Sequence, residues 1–389
     1  MSQNPICPIC GSKLLRQFLS REQVPVHQNL IMSEQESALN INRGHLKLTV
    51  CEACGFIFNQ AFDLSQLSYG EDYDNTQTCS SAFESYVLGL VDYLIDEKKV
   101  QNCCIVEVGC GKGLFLRKLV ENEVWGNTGY GFDPSYVGNE IELEGRLKFK
   151  KRYYDSECAN IPADVVVCRH VIEHIPDPLI LLGNVKQALV NSPQARVFFE
   201  TPCVEWILRN HVIWDFFYEH CSYFTAQSLT TAFEISGFQV ESVNHIFGGQ
   251  YLWLEATIPP EKPAITKNPT SIPMLAHNFA KSEHELIKKW EIKIQKLATK
   301  GKVALWGAGA KGVTFANLID PRRQWIDCII DLNPNKQGKY IPGTGHPIVS
   351  YEAIAERGIK TAILMNPNYY QENLALLVAA NLTVDLLVE

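Results

Sequence analysis

The sequence predicts an α/β protein in which a small metal-binding segment precedes two units built on parallel sheets. Three observations lead to this prediction. Two CxxC pairs lie near the N-terminus, and two separate apolar strands each lead into a glycine-rich turn and an amphipathic helix. A strand, a glycine turn and a helix in that order are typical of a Rossmann-like half-fold. The 389 residues suit two or three domains.

Composition narrows the class of protein. Hydrophobic residues make up 46% of the chain, charged residues make up 20%, and the formal net charge is −8. This acidic balance disfavours nucleic acid and anionic membranes as partners. No signal peptide is visible, and no apolar run approaches the roughly 18 residues of a membrane helix. We therefore expect a cytoplasmic protein, in which the 13 cysteines serve as thiols or metal ligands and not as disulfides.

Composition shifts along the chain predict four segments. A Pro-rich stretch with little periodicity follows the central region, and a charged helix with apolar positions at helical spacing follows that stretch. The segments are a zinc-binding domain (1–65), a central domain (66–258), a linker with a helix (259–299) and a C-terminal Rossmann-like domain (300–389).

The two CxxC pairs predict a structural zinc site. Cys7 and Cys10 form one CxxCG knuckle, and Cys51 and Cys54 form the other. Each knuckle directs two thiolates at one cation, and four thiolates complete a closed tetrahedron. The alternative is two unrelated redox or core pairs, but a redox CxxC normally lies beside a βαβ unit.

The first glycine loop predicts a nucleoside-binding site. Gly109, Gly111 and Gly113 permit a sharp turn and a close approach of backbone to ligand at a helix N-terminus. Glu107 precedes the loop, and Asp133 ends the next strand, where a carboxylate is placed to bind ribose hydroxyls. An NAD-binding domain is the alternative interpretation, although nothing in the sequence marks a nicotinamide pocket.

The series VEVGCGKG, GFDPS and ADVVVCRHVIEHIPDP resembles the class I S-adenosylmethionine-dependent methyltransferases over roughly residues 100–258. The resemblance implies that the glycine loop with Glu107 lines the methionine part of the cofactor, and that Asp133 and Pro134 hold the ribose. It places Arg169, His170 and His174 along the cofactor and substrate cleft. It also makes Asp155 a candidate for the adenine contact.

A second glycine loop opens the C-terminal domain. Gly307, Gly309 and Gly312 spell GxGxxG after a strand, and Asp331 closes the next strand. Only about 90 residues remain from there, enough for half of a doubly wound fold. Lys311 suits a phosphate contact, while the alternative is a loop that merely joins strand to helix.

The segment DFFYEHCSYF, residues 215–224, raises the question of catalysis. The order of motifs along the whole chain resembles the sugar C-methyltransferases that act on nucleotide-linked 4-keto deoxysugars, in which this segment reads close to D-x-x-Y-H-E-H-x-S-Y-F. The resemblance implies that His220 is the catalytic base and that Glu219 orients it. The family tyrosine falls on Phe217 here and the following His on Tyr218, so Tyr218 supplies a displaced phenol or the substrate differs.

Carbon methylation next to a ketone needs a base for the C–H proton and donors for the enolate oxygen. His220 is the predicted base, and Tyr218, His174 and Tyr73 are the candidate donors. We expect residues 247–256 to line the acceptor pocket. Three alternatives stay open: an O- or N-methyltransferase of the same architecture, a non-catalytic nucleotide-binding protein, and a purely structural Glu219–His220 pair that pins a loop between domains.

Overall fold

The described residues form three β-sheets with helices packed around them, which confirms the α/β fold class. A computed structural model of the chain describes residues 5–67, 79–261 and 269–388. No helix in these three ranges is both long enough and apolar enough to cross a membrane.

The N-terminal region is a small antiparallel sheet. Its second strand carries Leu46, Leu48 and Val50 at alternate positions, and all three side chains are buried, so one face of the sheet packs into the core. The elements of this region are β1 (Leu15–Pro25), α1 (Gln35–Leu39), β2 (Arg43–Cys51) and β3 (Ile57–Asn59).

The central region is built on an eight-stranded sheet, and its middle strands are short, apolar and buried, as expected for a sheet covered on both faces. The strands of this region are β4 (Cys104–Val108), β5 (Thr128–Phe132), β6 (Ile141–Glu142), β7 (Leu147–Lys150), β8 (Val165–Arg169), β9 (Arg196–Pro202), β10 (Ser222–Tyr223), β11 (Gln239–Ile246) and β12 (Tyr251–Thr257). Its helices are α2 (Ser81–Asp92), α3 (Leu114–Val120), α4 (Pro178–Ala188), α5 (Val204–Arg209) and α6 (Ala226–Ile235).

The strand order of the central sheet, β11-β12-β9-β8-β4-β5-β7-β6, locates its binding crevice. The chain moves from β4 to β5 on one side and later returns to β8 on the other side, and all these strands are parallel. In open parallel sheets, ligands bind at such a reversal, beyond the carboxyl ends of the strands. The residues that follow β4 and β8 are therefore the place to look for a site.

The C-terminal region repeats this plan on a smaller scale. Its five strands are all parallel, in the order β15-β14-β13-β16-β17, with the reversal between β13 and β16. The long α7 (Ile272–Ala298) leads into it. Its elements are β13 (Lys302–Trp306), α8 (Ala310–Ile319), β14 (Ile326–Ile330), β15 (Ile348–Val349), α9 (Ile354–Arg357), β16 (Ile359–Leu364), α10 (Tyr370–Ala379) and β17 (Asp385–Leu387).

The three regions share structure across the predicted domain bounds. The two-residue strand β10 pairs with β3, so the segment that contains His220 returns to the N-terminal sheet. Arg21, which is buried, forms a 2.6 Å ion pair with Glu283 of α7 and donates to the backbone oxygen of Phe216 at 3.1 Å. Breaking such a buried pair on one side is costly, so these contacts fix the segment firmly. The exact domain division predicted from sequence stays a prediction.

Candidate active site

The first glycine loop follows β4 and bends as the sequence predicts. Gly109, Gly111 and Gly113 have φ values of 71°, 52° and 74°, a region that residues with a Cβ rarely adopt. A Cβ at Gly109 would collide with Val171, and a Cβ at Gly113 would collide with Phe149. A Cβ at Gly111 would meet no atom within 4 Å, so this glycine faces open space where a ligand can approach the backbone.

Two carboxyl groups flank this loop. Asp133 follows β5, and its Oδ2 accepts from the Gly111 backbone N–H at 2.9 Å, while Oδ1 accepts from the Ser135 backbone N–H at 2.7 Å. Oδ1 also accepts from the Ser135 hydroxyl at 2.6 Å, whereas Oδ2 keeps a second lone pair, so the half-buried Asp133 can still accept from a ribose hydroxyl through Oδ2. Glu107 is buried, accepts from the Leu116 backbone N–H at 3.2 Å, and has its pKa raised to about 8 by burial.

The other predicted cofactor residues divide into two groups. Pro134 is exposed beside Asp133, where it can border a bound ribose. Asp155 caps the turn that follows it and forms a 3.0 Å ion pair with Arg152, and its contact with adenine stays a prediction.

His170, at the end of β8, is held between two carboxylates. Its Nε2 lies 2.9 Å from Glu200 Oε1, and its Nδ1 lies 3.3 Å from Glu173 Oε1. Burial alone would lower the pKa of His170, but Glu200 and Glu173 outweigh burial and raise it to about 9. The backbone is strained here, with φ at 54°, and such outliers often occur at functional sites. Since both ring nitrogens face carboxylates, His170 can offer a ligand its ring face and its charge.

Glu200 is the centre of a buried polar network. Its Oε2 accepts from Arg169 Nε at 2.5 Å, and its Oε1 accepts from the Tyr86 hydroxyl at 2.7 Å as well as facing His170. Burial would raise the pKa of Glu200, but Arg169 and His170 together lower it, so the carboxylate stays ionised. The Arg169 guanidinium also lies over the Phe115 ring, 4.3 Å from its centroid.

An aromatic wall borders this network. The Phe247 and Tyr251 rings stack at 4.9 Å, the Tyr251 ring meets the edge of His170 at 4.6 Å, and Tyr86 packs against Phe247 at 4.6 Å. Phe247 and Tyr251 belong to the stretch that was predicted to line the acceptor pocket. Apolar walls with a few fixed polar groups are typical of small-molecule sites.

His220 lies further along the same cleft. Its ring contacts Phe217 at 4.1 Å and meets the His174 ring at 4.7 Å and 86°. No described residue forms a hydrogen bond with the His220 ring, which is half-buried. The pKa of His220 is lowered well below its usual value, first by burial and then by the positive charges of His174, His170 and Lys311. The imidazole is therefore neutral at neutral pH and available to take a proton.

The structure changes the predicted role of Glu219. Its side chain is completely buried and turns toward the N-terminal region, where Oε2 accepts from the Gln28 backbone N–H at 2.7 Å and Oε1 lies 3.6 Å from His27 Nδ1. The prediction that this carboxylate orients His220 is therefore not supported by the contacts. Its backbone carbonyl does serve the site, because it lies 2.9 Å from His174 Nδ1. Tyr218 and Glu219 lie in a turn that precedes β10, and the Glu219 side chain points from this turn toward the N-terminal region.

Tyr218 is not a donor to the cleft either. Its ring is fully buried against Gly44, and its hydroxyl lies 2.9 Å from the backbone nitrogen and 3.3 Å from the backbone oxygen of Asp63. The predicted displaced phenol is thus committed to the N-terminal sheet. Tyr73 lies outside the described residues. His174 remains beside His220, as predicted.

The second glycine loop is occupied by protein contacts. The Lys311 ammonium forms a 3.0 Å ion pair with Asp215 and donates to Gln250 Oε1 at 2.8 Å. These contacts join the C-terminal domain to the stretch 247–256, the predicted acceptor wall. Asp331 accepts from the Ala308 backbone N–H at 2.7 Å. The contacts of Lys311 favour the interpretation of this loop as a join between domains over that of a phosphate site.

The four predicted cysteine ligands converge on one point. Their sulfur atoms all lie within 4.8 Å of one another, with Cys7 and Cys54 at 3.7 Å and Cys10 and Cys51 at 3.5 Å. Metal–sulfur bonds of ~2.3 Å in a tetrahedron place the sulfurs about 3.8 Å apart. The pKa of the Cys54 thiol is raised by its contacts with Cys51 and Cys7 and then by burial, which a bound cation would reverse. The donor set therefore fits a closed metal site.

Sequence reasoning missed Glu173, Glu200 and Tyr86. A signal existed for Glu200, because an ionisable residue at the end of the apolar strand β9 needs a partner once it is buried. Glu173 stands between buried Ile172 and the predicted His174, which is the same kind of signal. Tyr86 gives no signal in the sequence, because its contact with Glu200 joins residues that are 114 positions apart.

Comparisons with known proteins agree with this geometry. A family model described as a methyltransferase domain matches residues 82–243, and another, described as a C-methyltransferase C-terminal domain, matches residues 261–379. The chain is similar to C-methyltransferase NovU from Streptomyces niveus, with 25% identity over 94% of this chain and 90% of that protein.

A ubiquinone biosynthesis O-methyltransferase from Vibrio campbellii is 30% identical over 30% of this chain, and the match spans about half of that protein, 48%. The solved structure of magnesium protoporphyrin IX methyltransferase (ChlM) from Synechocystis PCC 6803 has 16% identity and a TM-score of 0.36, over 49% of this chain and 90% of that one.

The glycine loop at the sheet reversal, the two matched domain models and the relative aligned along nearly the whole chain agree with one another. The chain is a class I S-adenosylmethionine-dependent methyltransferase with a C-methyltransferase C-terminal domain.

Proposed function

We propose that the protein transfers the methyl group to a carbon atom next to the ketone of a nucleotide-linked 4-keto deoxysugar. One observation carries the proposal: His220 is a neutral imidazole, bound by no described hydrogen-bond partner, in an aromatic part of the cleft. A general base that removes a C–H proton needs this state. The similarity to a C-methyltransferase over 94% of the chain supports the same chemistry.

The cofactor side of the cleft is assigned to the first glycine loop. Gly109, Gly111 and Gly113 would lie along the methionine part, and Asp133 would accept from the ribose hydroxyls. Glu107 would line the floor of the loop, and His170 would face the cleft with its charged ring. S-adenosylmethionine, when bound, supplies an electrophilic methyl group to a carbon nucleophile.

The residues of the chain then prepare that nucleophile. His220 removes the proton from the carbon next to the ketone, and the electron pair of the broken C–H bond moves onto the ketone oxygen as an enolate. His174 lies beside His220, and because its Nδ1–H donates to the Glu219 carbonyl, it would donate to that oxygen from Nε2 in its doubly protonated form. The wall of Phe217, Phe247 and Tyr251 excludes water, which keeps the imidazole neutral until the acceptor arrives. The proton taken by His220 returns to solvent after transfer.

We also propose that the four cysteines hold a structural zinc ion. All four positions are thiolate donors with no open position, which is the pattern of a structural and not a catalytic site. Elemental analysis of the purified protein should find about one zinc per chain, and Cys51→Ser should lose it together with stability of the N-terminal sheet. Equal zinc content in the two proteins would contradict this assignment.

O-methylation is the second candidate, favoured by the 30% identity to a ubiquinone biosynthesis O-methyltransferase. That match covers 122 residues, or 30% of this chain, whereas the match to the C-methyltransferase covers 94% of it.

Analysis of the product decides between the two. The protein is incubated with ¹³C-methyl-labelled cofactor and a nucleoside diphosphate-linked 4-keto deoxysugar, and carbon–proton NMR locates the new methyl group. We expect a C–CH₃ signal coupled to the sugar ring carbons. An O–CH₃ or N–CH₃ signal would replace the proposal by the second candidate or by its nitrogen counterpart.

A further inference from the structure

Glu173 has a buried carboxylate that faces His170 and also lies close to the proposed base. The residue lies in the turn Ile172–His174 that follows β8, and its side chain is 1% exposed. One oxygen, Oε2, accepts from the Thr201 hydroxyl at 3.1 Å. The other oxygen, Oε1, is buried and accepts no hydrogen bond from a described residue, although His170 Nδ1 lies 3.3 Å away. A buried carboxylate oxygen in this state is costly and needs a reason.

The second observation is the distance to the proposed base. One carboxylate oxygen of Glu173 and one ring nitrogen from each of His174 and His220 all lie within 4.8 Å of one another. An opposite charge at this range shifts the pKa of an imidazole upward by stabilising its protonated form. Glu173 is thus placed to respond to the protonation of His220.

Backbone hydrogen bonds hold the two segments in this arrangement. The Cys221 N–H donates to the Glu173 backbone oxygen at 3.0 Å, and the Ser222 hydroxyl donates to the Ile175 backbone oxygen at 2.7 Å. The contact of His174 with the Glu219 carbonyl adds a third link. The turn after β8 and the segment that carries His220 therefore form one rigid unit, so the Glu173–His220 distance is fixed before substrate binds.

The charges around the base show why a carboxylate is needed. His174, His170 and Lys311 all disfavour a positive His220. The positive charges of His170 and Arg169 are balanced by Glu200 and Glu173, and Lys311 is balanced by Asp215. When His220 takes a proton, the cleft gains one positive charge at low dielectric. Without Glu173, the cleft would then hold two positive charges that lack a carboxylate partner, one on His220 and one on the pair of His170 and Arg169.

We infer that Glu173 is the positioning residue that fixes the His220 segment through its backbone oxygen and offsets the charge of His220 with its carboxylate at the moment of proton uptake. This inference rests on the proposed function of His220 as the base. It moves to Glu173 the supporting role that sequence reasoning gave to Glu219, whose carboxylate faces Gln28 and His27. Because the carboxylate already faces His170 Nδ1 at 3.3 Å, its loss also weakens that resting-state contact, and only the part of the effect that depends on His220 reports the charge offset during turnover.

A double-mutant cycle tests the inference on the full-length protein, with a nucleoside diphosphate-linked 4-keto deoxysugar as acceptor. Glu173→Gln keeps the side-chain shape and should lower kcat about 10-fold or more, with any change of cofactor affinity through His170 measured on the same samples. In the His220→Ala background the same substitution should cost nothing further, because the charge to be balanced is gone. Equal costs in both backgrounds would show a merely structural Glu173 and overturn the inference.

The cycle separates the two proposals. Full activity of His220→Ala would end the assignment of the base, whereas loss of activity in His220→Ala with additive Glu173→Gln costs would end only the inference about Glu173. Turnover abolished by a chelator that leaves the zinc content unchanged, and restored by Mn²⁺ or Fe²⁺, would assign Glu173, His174 and His220 to a cation and also overturn the inference.

A measurement without acceptor completes the test. NMR of ¹⁵N-histidine-labelled protein with S-adenosylhomocysteine should show a lower pKa for His220 in Glu173→Gln than in wild type. Glu219→Gln is the matched control, because it removes the neighbouring carboxylate that faces away from the ring, and it should leave the His220 pKa in place. Equal pKa values in Glu173→Gln and wild type, or a fall only in Glu219→Gln, would contradict the inference.

Discussion

The two glycine loops of this chain share a sequence pattern and a local geometry, yet they differ in what faces them. In both, a strand ends in glycines, a helix follows, and an aspartate at the end of the next strand accepts a loop N–H, from Gly111 to Asp133 at 2.9 Å and from Ala308 to Asp331 at 2.7 Å. Gly111 faces open space. In the second loop, Lys311 is bound to Asp215 and Gln250 of the central region.

The difference shows that a glycine loop marks a possible approach for a ligand but does not prove one. The aspartate and the strand–helix geometry build the turn in both places. The neighbours of the turn decide whether its N–H groups serve a cofactor or a domain interface. The first loop is therefore the cofactor site of this account, and the second joins the C-terminal domain to the acceptor wall.

The largest expected effect is a difference in cofactor affinity between variants of Asp133 and of Asp331. Asp133→Ala should weaken S-adenosylmethionine binding by about 10²-fold or more, because it removes charge-assisted hydrogen bonds worth roughly 1.5–3 kcal/mol each. Asp331→Ala should leave this affinity within about 2-fold, since its contacts are internal to the C-terminal loop. Calorimetry measures both constants, and circular dichroism checks that both variants fold. A comparable loss of affinity in the two variants would erase the proposed difference between the loops.

The next effect concerns stability. A Cβ at Gly312 would collide with the backbone oxygen of Gly307, which cannot rotate away as a side chain can, so Gly312→Ala should destabilise the C-terminal domain by a few kcal/mol. Gly111→Ala is the matched control, because its Cβ meets open space and only its φ of 52° opposes the change, at about 1 kcal/mol. Thermal unfolding measures both. A larger loss of stability in Gly111→Ala would contradict this packing argument.

A smaller effect compares the two lysines that precede the last glycine of each loop. Lys311→Met leaves the carboxylate of Asp215 without its partner and loosens the acceptor wall at Gln250, so the acceptor KM should rise several-fold while cofactor affinity stays constant. Lys112→Met, at the matching position of the first loop, changes an exposed side chain and should not alter thermal stability. Steady-state kinetics and thermal unfolding check the pair. An unchanged acceptor KM in Lys311→Met would place the second loop outside the acceptor site.

The smallest expected effect is on the pH dependence of protein stability, and it arises from the surroundings of the first glycine loop. The pKa of His170, beside the first loop, is raised to about 9 in the folded protein, above the ~6.5 of an unfolded histidine. The stabilisation from its two carboxylate partners is therefore complete below pH ~6.5 and is lost as pH rises through about 9. Denaturation at a series of pH values should show this decline in wild type and a flatter profile in His170→Gln. Identical profiles would mean that the pKa of His170 is the same in the folded and unfolded states.

Much of the fold could be predicted because it depends on local patterns. The strands that lead into both glycine loops, the helices that follow them and the convergence of Cys7, Cys10, Cys51 and Cys54 need only spacing and residue type. His220 and His174 were placed together through a family resemblance, and the structure does bring their rings to 4.7 Å.

The direction of each side chain could not be predicted, because it depends on contacts far apart in the sequence. Glu219 and His220 are adjacent, but the Glu219 carboxylate bonds to Gln28, 191 positions away. Tyr218 is held by Asp63, 155 positions away. Glu173 comes near His220 only because β3 pairs with β10 and holds that segment beside the turn after β8. Spacing along the chain contains none of this information.

The central claim is that His220 is the base for methyl transfer to carbon. It is tested most directly by single-turnover transfer of a ¹³C-labelled methyl group, in wild type and His220→Ala, with cofactor affinity measured on the same samples. We expect the variant to bind the cofactor as wild type does and to form the C–CH₃ product about 10²–10⁴-fold more slowly, the usual cost of losing a general base. Product formation by His220→Ala at the wild-type rate would contradict the claim.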